Sequence, residues 1–356
     1  MTYYAGFDVS MKTTTIAILN EKGKTCFEAI CDSDPETIVK TMNDSGFICE
    51  KIGIESGSIS FWLIEELKKS GFPAICIECR QMATIIALKI NKTDKNDARL
   101  IAEAMRCNLY KEVYHKTRGS IEIGLQMGTR RTLIDIRTKL KNSVRGFLKA
   151  YGIRLGAISH EKFSEGVRQS LMGYGIEVQN AIEGLLNSFE EVCRNIESAE
   201  ETLKKLCKKD PVITLFESIP GVGAITALTY KAVIDDPHRF TNPRNIGAYL
   251  GLTPTQYSSG ESVKQGRISK CGSQELRSLL IECAIVMLTR TRGWTRLKAW
   301  GLKIMKKSGI KKAAAAVARK LAIIMLRMWQ TGQPFIWGEK KKKNIQKSVL
   351  WFNNGL

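Results

Sequence analysis

The apolar periodicity of this chain changes once, near residue 120, and that change constrains the fold more than any other feature. Before it, the runs 3–9 (YYAGFDV), 13–20 (TTTIAILN) and about 25–31 are short, β-branched or aromatic, and separated by turn signals that include Glu21-Lys22-Gly23-Lys24. They read as an antiparallel meander. Asp34-Pro35-Glu36 then opens a helix to about Met42, with proline at a first-turn position and acids near the positive end of the dipole. Strands at about 48–55 and 74–78 and helices at 59–70 and 94–108 follow. Three strands followed by alternating helices and strands predict a mixed α/β sheet.

From about 120 to 209 the period becomes helical. Ile136, Leu140, Val144, Phe147 and Leu148 recur at mostly three- or four-residue steps, as do Leu185, Leu186, Phe189, Val192, Ile196, Leu203 and Leu206. This pattern predicts long, coiled-coil-like helices able to join subunits. The stretch 151–175 is Gly-rich and reads as a flexible connection. After Pro211 the chain is mainly helical, with apolar helices at about 274–290 and 311–331 and a Gly/Ser/Thr/Pro-rich centre at 247–273. The expected fold class is therefore α/β plus all-α, in regions 1–110, 111–210 and 211–335 with a basic tail, 336–356.

The length of 356 residues suggests roughly two domains. No uninterrupted apolar run reaches the ~18 residues of a membrane span, and no basic, apolar leader precedes Tyr3, so a cytoplasmic protein is expected. The ten cysteines are scattered through apolar segments, which suits reduced thiols, and the single CxxC, Cys76 and Cys79, lacks a second pair to complete a zinc site. The net charge of +20 is uneven. Residues 1–110 carry 13 basic and 15 acidic side chains, 111–240 carry 20 and 16, and 241–356 carry 22 and 4. Only Glu261, Glu275, Glu282 and Glu339 interrupt the last region, and such one-signed charge is the footprint of a polyanion binder. The competing explanations are a solubility surface or an anionic-membrane patch.

Four carboxylates stand out in the near-neutral region. Asp8 lies near the end of the first strand and faces away from Phe7 and Val9. Glu55 closes the fourth strand in Gly53-Ile54-Glu55-Ser56-Gly57, and Asp94 and Asp97 share one face at a helix start. Two strand-end acids and a helical pair can converge on one point, and hard oxygen donors select Mg²⁺ or Mn²⁺. Taken singly, Asp8 reads as a strand end, Glu55 as a solvated acid and Asp94 as a helix cap. In the basic region, Pro254 and Gly260 predict Ser258 and Ser259 on a loop, followed by Lys264, Arg267 and Lys270 and then Arg277. No nearby histidine activates either serine, so on composition alone this is a polar, phosphate-touching loop.

The strand and helix order, with acids on strands one and four and on a later helix, resembles the RNase H-like nuclease fold. GFDVS (6–10), GIESG (53–57) and NKTDKNDA (91–98) resemble the signature of the DEDD transposases of the IS-one-ten insertion-sequence family, whose catalytic domain is similar to the junction resolvase RuvC; Lys92 and Lys95 are typical of that motif. GLTP, SSG, GRISK, Gly and LR, within 251–277, match the second signature of the same family, in a C-terminal transposase domain. The resemblance implies a DNA transposase or recombinase with Asp8, Glu55, Asp94 and Asp97 holding Mg²⁺ (or Mn²⁺). It implies Ser259 as a nucleophile that forms a covalent phosphoserine link, with Ser258 the alternative. It also implies a homo-oligomer, dimer or tetramer, with a site shared between subunits, acting on DNA at the nucleoid of a bacterium or archaeon. Some members choose their sites with a structured noncoding (bridge) RNA, so a guide RNA is the further partner implied. The alternative is a RuvC-type metal-dependent nuclease that uses water and needs the acids but not the serine. Gly221 and Gly223 resemble the turn of a helix-hairpin-helix, a phosphate-binding element, or form a simple tight turn. Arg130 and Arg131 lie on a helix that accompanies nucleic-acid binding in the family, or that merely presents a solvated face. The run Lys340 to Lys343 is left as a DNA contact or a solvated tail.

Overall fold

The computed structural model describes residues 1–78, 93–208, 210–259 and 262–336, with 257–264 described by their backbone alone. The chain divides into two compact units, Met1–Lys116 and Thr117–Leu356. Lys92, Cys79 and the Lys340 to Lys343 run lie outside the described residues.

The first unit contains β1 (Tyr3–Val9), β2 (Thr13–Asn20), β3 (Thr25–Asp32), α1 (Pro35–Ser45), β4 (Cys49–Glu55), α2 (Ser60–Lys69), β5 (Ala74–Ile77) and α3 (Asp94–Arg106). The sheet order is β3-β2-β1-β4-β5, antiparallel across the meander and parallel from β1 through β4 to β5. Alternation along the strands divides the faces. Ala5, Phe7, Ile16, Ile18, Ile52 and Ile54 form one core with Ile38 and Met42 of α1 and Leu63, Ile64 and Leu67 of α2. Tyr4, Ile75 and Ile77 pack on the other face with Ile101, Ala104 and Met105 of α3. α1 begins where the Asp34 carboxylate accepts from the Glu36 and Thr37 amides at 3.0 and 3.2 Å, and ends at Gly46 with φ +70°.

α3 lies unusually close to the sheet. A Cβ on Gly6 would collide with the Ala98 carbonyl oxygen and the Ala102 nitrogen, and one on Gly53 would lie 2.8 Å from Met105 Sδ. The helix runs antiparallel to β1. Its C-terminal end reaches the β2–β3 turn, where Arg106 Nη1 donates to the Glu21 carbonyl at 3.2 Å, so its first turn points toward the C-terminal ends of β1 and β4.

The second unit contains α4 (Arg118–Ala150), α5 (Phe163–Ser170) and α6 (Ile176–Lys208), then α7 (Pro211–Glu217), α8 (Ala224–Ile234), α9 (Asn245–Tyr249), β6 (Pro254–Ser259), β7 (Ser262–Ile268), α10 (Gln274–Thr289), α11 (Arg296–Ser308) and α12 (Ile310–Thr331). The coiled-coil expectation finds its partner inside the chain: α4 packs along α6, and Arg130 grips Glu200 across them at 2.6 and 3.0 Å. The segment 151–175 is not a loose connection. It carries α5, whose Phe163 and Val167 are buried with Val144, Leu148, Leu186 and Phe189, while Lys141 and Arg145 donate to the carbonyls of Ile158, Leu155 and Gly156. Its glycines obscured Phe163, Val167 and Leu171, spaced four residues apart as a helix face requires.

α8 is the centre of the C-terminal bundle. It is buried on nearly every side, and the Tyr230 hydroxyl donates to the Ala322 carbonyl of α12 at 2.7 Å. Among the described residues no helix is long and apolar enough to cross a membrane. The expected loop of Ser258 and Ser259 is instead the end of a strand: β6 and β7 form an antiparallel hairpin, with Ser258 opposite Val263 and Ser259 opposite Ser262. A Ser/Gly-rich composition signals a turn, but a glycine between two runs of alternating residues also signals a hairpin.

The close approach of α3 predicts unequal costs at the two glycines. Gly6→Ala should lower stability by about 1–3 kcal/mol, because backbone cannot retreat, and Gly53→Ala by less, because the flexible Met105 can. Denaturant unfolding of both variants checks the order.

Candidate functional site

Asp8 and Glu55 follow directly on the last register pair of β1 and β4, Phe7 opposite Ile54, so they end adjacent parallel strands. By parity they share the faces of Gly6 and Gly53, the side covered by α3. α3 starts at Thr93, whose Oγ1 accepts from the Asn96 amide at 3.3 Å, and its first turn carries Asp94 and Asp97. Asp97 is only 7% exposed, next to Ala98 over Gly6, whereas Asp94 is exposed. Thus the first unit brings all four acids to one end of one sheet face. The loop after β4 is held by Ser60, whose hydroxyl donates to the Glu55 carbonyl at 2.6 Å and accepts from the Gly57 amide at 2.9 Å.

Three neighbours were missed in the sequence. Thr15 pairs with Asp8 across β1 and β2 and is buried. Glu28 of β3 receives both Nε and Nη2 of Arg99, which fixes the rotation of α3, and that guanidinium holds the Glu28 carboxyl below its usual range. Gly6 and Gly53 are the third element, and a signal for them exists: each precedes its acid by two residues, in Gly-Phe-Asp and Gly-Ile-Glu.

The four donors are carboxylates, a hard oxygen set suited to Mg²⁺ or Mn²⁺. Among the described residues no group of three His, Cys, Asp or Glu side chains is placed to hold a metal ion. Mg²⁺ is commonly held by one or two carboxylates, with water and substrate phosphate completing its shell, so the donor chemistry fits without a closed protein cage.

In the second unit the hairpin is latched at its base. Gly251 (φ +66°) and Gly272 (φ +67°) lie where a Cβ would strike the backbone of Cys271 and Tyr249. Across them Arg277 Nη1 donates to the carbonyls of Cys271, Leu250 and Ser273 at 2.7, 3.2 and 3.4 Å. Arg277 is 7% exposed. Arg277, read from the sequence as a nucleic-acid contact, is buried here and its Nη1 faces inward onto these carbonyls. Lys264 lies opposite Tyr257 on β7, and Arg267 and Lys270 are exposed, Lys270 at φ +58°. Ser259 and Ser258 lie at the end of the hairpin remote from this latch.

Gly221 (φ +86°) sits in the turn between α7 and α8, where a Cβ would lie 3.2 Å from the Cys283 carbonyl oxygen, so packing alone requires it. Gly223 is the N-cap of α8, with open space where a Cβ would stand, and its backbone lies in hydrogen-bond reach of the Cys283 thiol. Arg130 is committed to Glu200, and it and Arg131 act together on the Glu275 carboxyl, lowering its pKa against the larger upward push of burial. Arg131 also pairs with Asp135 at 3.1 Å on the exposed face of α4.

Comparison with known proteins places these residues in a family. A DEDD transposase family of the IS110 type matches residues 5–153, and the family described as Transposase IS116/IS110/IS902 matches 213–299. The transposase for insertion sequence element IS1328 of Yersinia enterocolitica is 30% identical over 241 residues, 67% of this chain and 71% of that one. The chain belongs to the IS110 transposase family. The transposase for element IS1111A of Coxiella burnetii is 34% identical over 243 residues, 67% of this chain, and the alignment spans 66% of that relative, just under two thirds. A pilin gene-inverting protein of Moraxella lacunata is 32% identical over 126 residues, 34% of this chain and 38% of its own. Membership of this DEDD family implies a divalent metal ion.

Two outcomes follow for the residues that position the acids and the hairpin. Arg277→Met should cost about 1–3 kcal/mol by leaving buried carbonyls unsatisfied, whereas Arg267→Met should stay within about 0.5 kcal/mol of wild type; thermal unfolding measures both. Glu28 has a folded-state pKa below its unfolded one, so its contribution is present above about pH 4.5 and is lost as pH falls through the lowered value. Glu28→Gln should flatten the acid limb of a stability–pH curve below that point and leave neutral pH less stable.

Proposed function

We propose that the chain is a DNA recombinase that moves an insertion sequence, with metal-binding carboxylates in its first unit and a serine nucleophile in its second. The observation that supports this reading is that Asp8 and Glu55 end adjacent parallel strands on the face covered by the helix whose first turn carries Asp94 and Asp97, in a chain of the IS110 transposase family. The order β3-β2-β1-β4-β5, with an antiparallel meander and parallel β1, β4 and β5, supports an RNase H-like, RuvC-like assignment of 1–110. Residues 111–210 would form the helical linker, 211–335 the transposase domain and 336–356 a basic tail. The name of the pilin gene-inverting relative supports recombination rather than simple cleavage.

Asp8, Glu55, Asp94 and Asp97 would hold Mg²⁺ or Mn²⁺. When bound, the ion stabilises charge on a transferring phosphoryl group. Ser259 is the nucleophile: its Oγ bonds to phosphorus, the bond from phosphorus to the departing deoxyribose oxygen breaks, and the serine proton leaves with that oxygen. Attack by a hydroxyl of the exchanged strand reverses the step and frees the serine. Lys264, Arg267 and Lys270, on and just beyond the second strand of the hairpin, would offset phosphate charge, and the helix start at Gly221 and Gly223 would face a further phosphate. The partners are the element ends, the target DNA and a structured guide RNA. A broadly basic region without a base-reading motif suits a protein that leaves sequence to base pairing. Exchange at two DNA ends requires several copies, so we assign a homo-oligomer, working at the nucleoid in the cytoplasm.

The test uses DNA carrying the element ends from beside the gene. Ser259→Ala should abolish the covalent protein–DNA species seen on denaturing gels and reduce recombination at least about 10³-fold, as should Asp8→Asn for recombination. Loss on Ser258→Ala but not Ser259→Ala would move the nucleophile by one residue. Junction cleavage by Ser259→Ala at the wild-type rate would instead support a water-using nuclease.

A further inference from the structure

From Cys283 to Gly338 the chain carries twelve Lys and Arg and no Asp or Glu. Within that stretch, the connection from α10 to α11 reads Arg290-Thr291-Arg292-Gly293-Trp294-Thr295-Arg296. Trp294 is 64% exposed, and Arg290, Arg292 and Arg296 are exposed around it. An indole left this open is unusual, since tryptophan normally covers most of its surface in a fold.

The ordinary structural explanation does not account for it. Trp294 immediately precedes the cap of α11, the position from which an apolar side chain normally folds back on the fourth helical residue. That residue is Ala299, and the indole stays in solvent. The backbone around it is nevertheless fixed. The Arg290 and Thr291 amides donate to the Val286 carbonyl at 2.8 and 3.1 Å, and the Thr291 hydroxyl donates to the Met287 carbonyl at 2.8 Å. Thr295 is buried, its Oγ1 accepting from the Lys298 amide at 3.0 Å, and Lys298 Nζ donates back to the Thr291 carbonyl. The loop is thus pinned at both ends and presents an exposed indole in a segment that also carries exposed Arg290 and Arg292.

We propose that the Trp294 loop is a stacking platform for an unpaired base of single-stranded DNA, with Arg290 and Arg292 on the flanking phosphates. An exposed aromatic among arginines suits a base π-face beside a phosphodiester, and that face is available only where the duplex is open. Positive charge with no carboxylate in the surrounding sequence disfavours a second copy of the same basic surface as the occupant. The inference rests on the proposed DNA activity, in which strand exchange unpairs bases, and adds the place where one is held.

The full-length protein is titrated with fluorescent oligothymidylate, with the RNA equivalent and with a mixed-sequence duplex. Trp294→Ala should weaken oligothymidylate binding roughly 5- to 100-fold and duplex binding less than about twofold, while Trp294→Phe keeps most of the affinity. Arg290→Ala with Arg292→Ala should lower the salt slope for the single strand by about 1.4, at roughly 0.7 for each phosphate contact. Equal single-strand affinity in Trp294→Ala, or an equal loss on duplex, overturns the platform. A Trp294-dependent loss confined to RNA overturns the DNA assignment, and loss of self-association in sedimentation makes the loop a protein interface instead. Wild-type protein that binds no DNA in either form overturns the proposed function itself, an outcome distinct from failure at Trp294.

Discussion

The first unit depends on one contact between backbones: α3 resting on β1 at Gly6, with no side chain between them. A helix separated from a sheet by ordinary side chains can slide and rotate to suit them. Here the Ala98 and Ala102 backbone defines the distance, and Met105 over Gly53 defines the crossing onto β4. The Arg99–Glu28 pair and the reach of Arg106 to the Glu21 carbonyl then fix the remaining rotation. Arg99 is partly exposed, so its pair adds orientation more than stability. Once the helix is so placed, its first turn can only lie toward the strand ends. The placing of Asp94 and Asp97 toward the strand ends that carry Asp8 and Glu55 is therefore a consequence of packing at other positions, Gly6 and Gly53 on the strands and Ala98, Ala102 and Met105 on the helix.

The second unit solves a similar problem with charge. Two glycines at positive φ let the ends of the β6–β7 hairpin pass close to the α9 turn, which brings the Leu250, Cys271 and Ser273 carbonyls round one buried side chain. A neutral donor would satisfy one of them. The Arg277 Nη1 group spans three, and hydrogen bonds from a charged donor are the stronger kind. The hairpin is consequently held at its base and carries Ser258 and Ser259 at its other end. Both units thus place their candidate chemistry with residues that do not take part in it.

What could be read from the sequence follows from this. Strands β1 to β5 and helix α3 were legible within a few residues, because each shows one unmixed period and clear breakers. The four acids were legible as a group through their positions at element ends. The helix Phe163–Ser170 was not, since the apolar residues it buries are Phe163 and Val167 within a glycine-rich stretch, too few to establish a period. The hairpin at 254–268 was hidden by its serines and glycines, whose turn preference is local while strand pairing is not. The inward set of Arg277 was not legible, because sequence shows charge but not the carbonyls that surround it. The glycines before Asp8 and Glu55 were visible as a repeated Gly-x-acid pattern, yet their meaning required knowing which helix covers that face.

The division of charge has its own physical logic. Carboxylates gathered at one end of a sheet repel one another, and they also repel the phosphate they are proposed to act on; a divalent cation relieves both conflicts only while phosphate and metal are bound together. Such a site contributes little affinity by itself, because most of its Coulomb gain offsets desolvation and repulsion. Affinity for a polyanion then has to come from residues with no carboxylate to oppose them, by release of counterions. The chain meets that requirement by keeping 1–110 near neutral and gathering 22 Lys and Arg against 4 acids in 241–356. Concentrating the cations around the carboxylates would weaken each function, so beside the acids the chain keeps only scattered cations such as Lys95 and gathers its excess elsewhere. Segregation of charge along the chain therefore suits the proposed metal-using action on DNA, in which neither set of groups should neutralise the other.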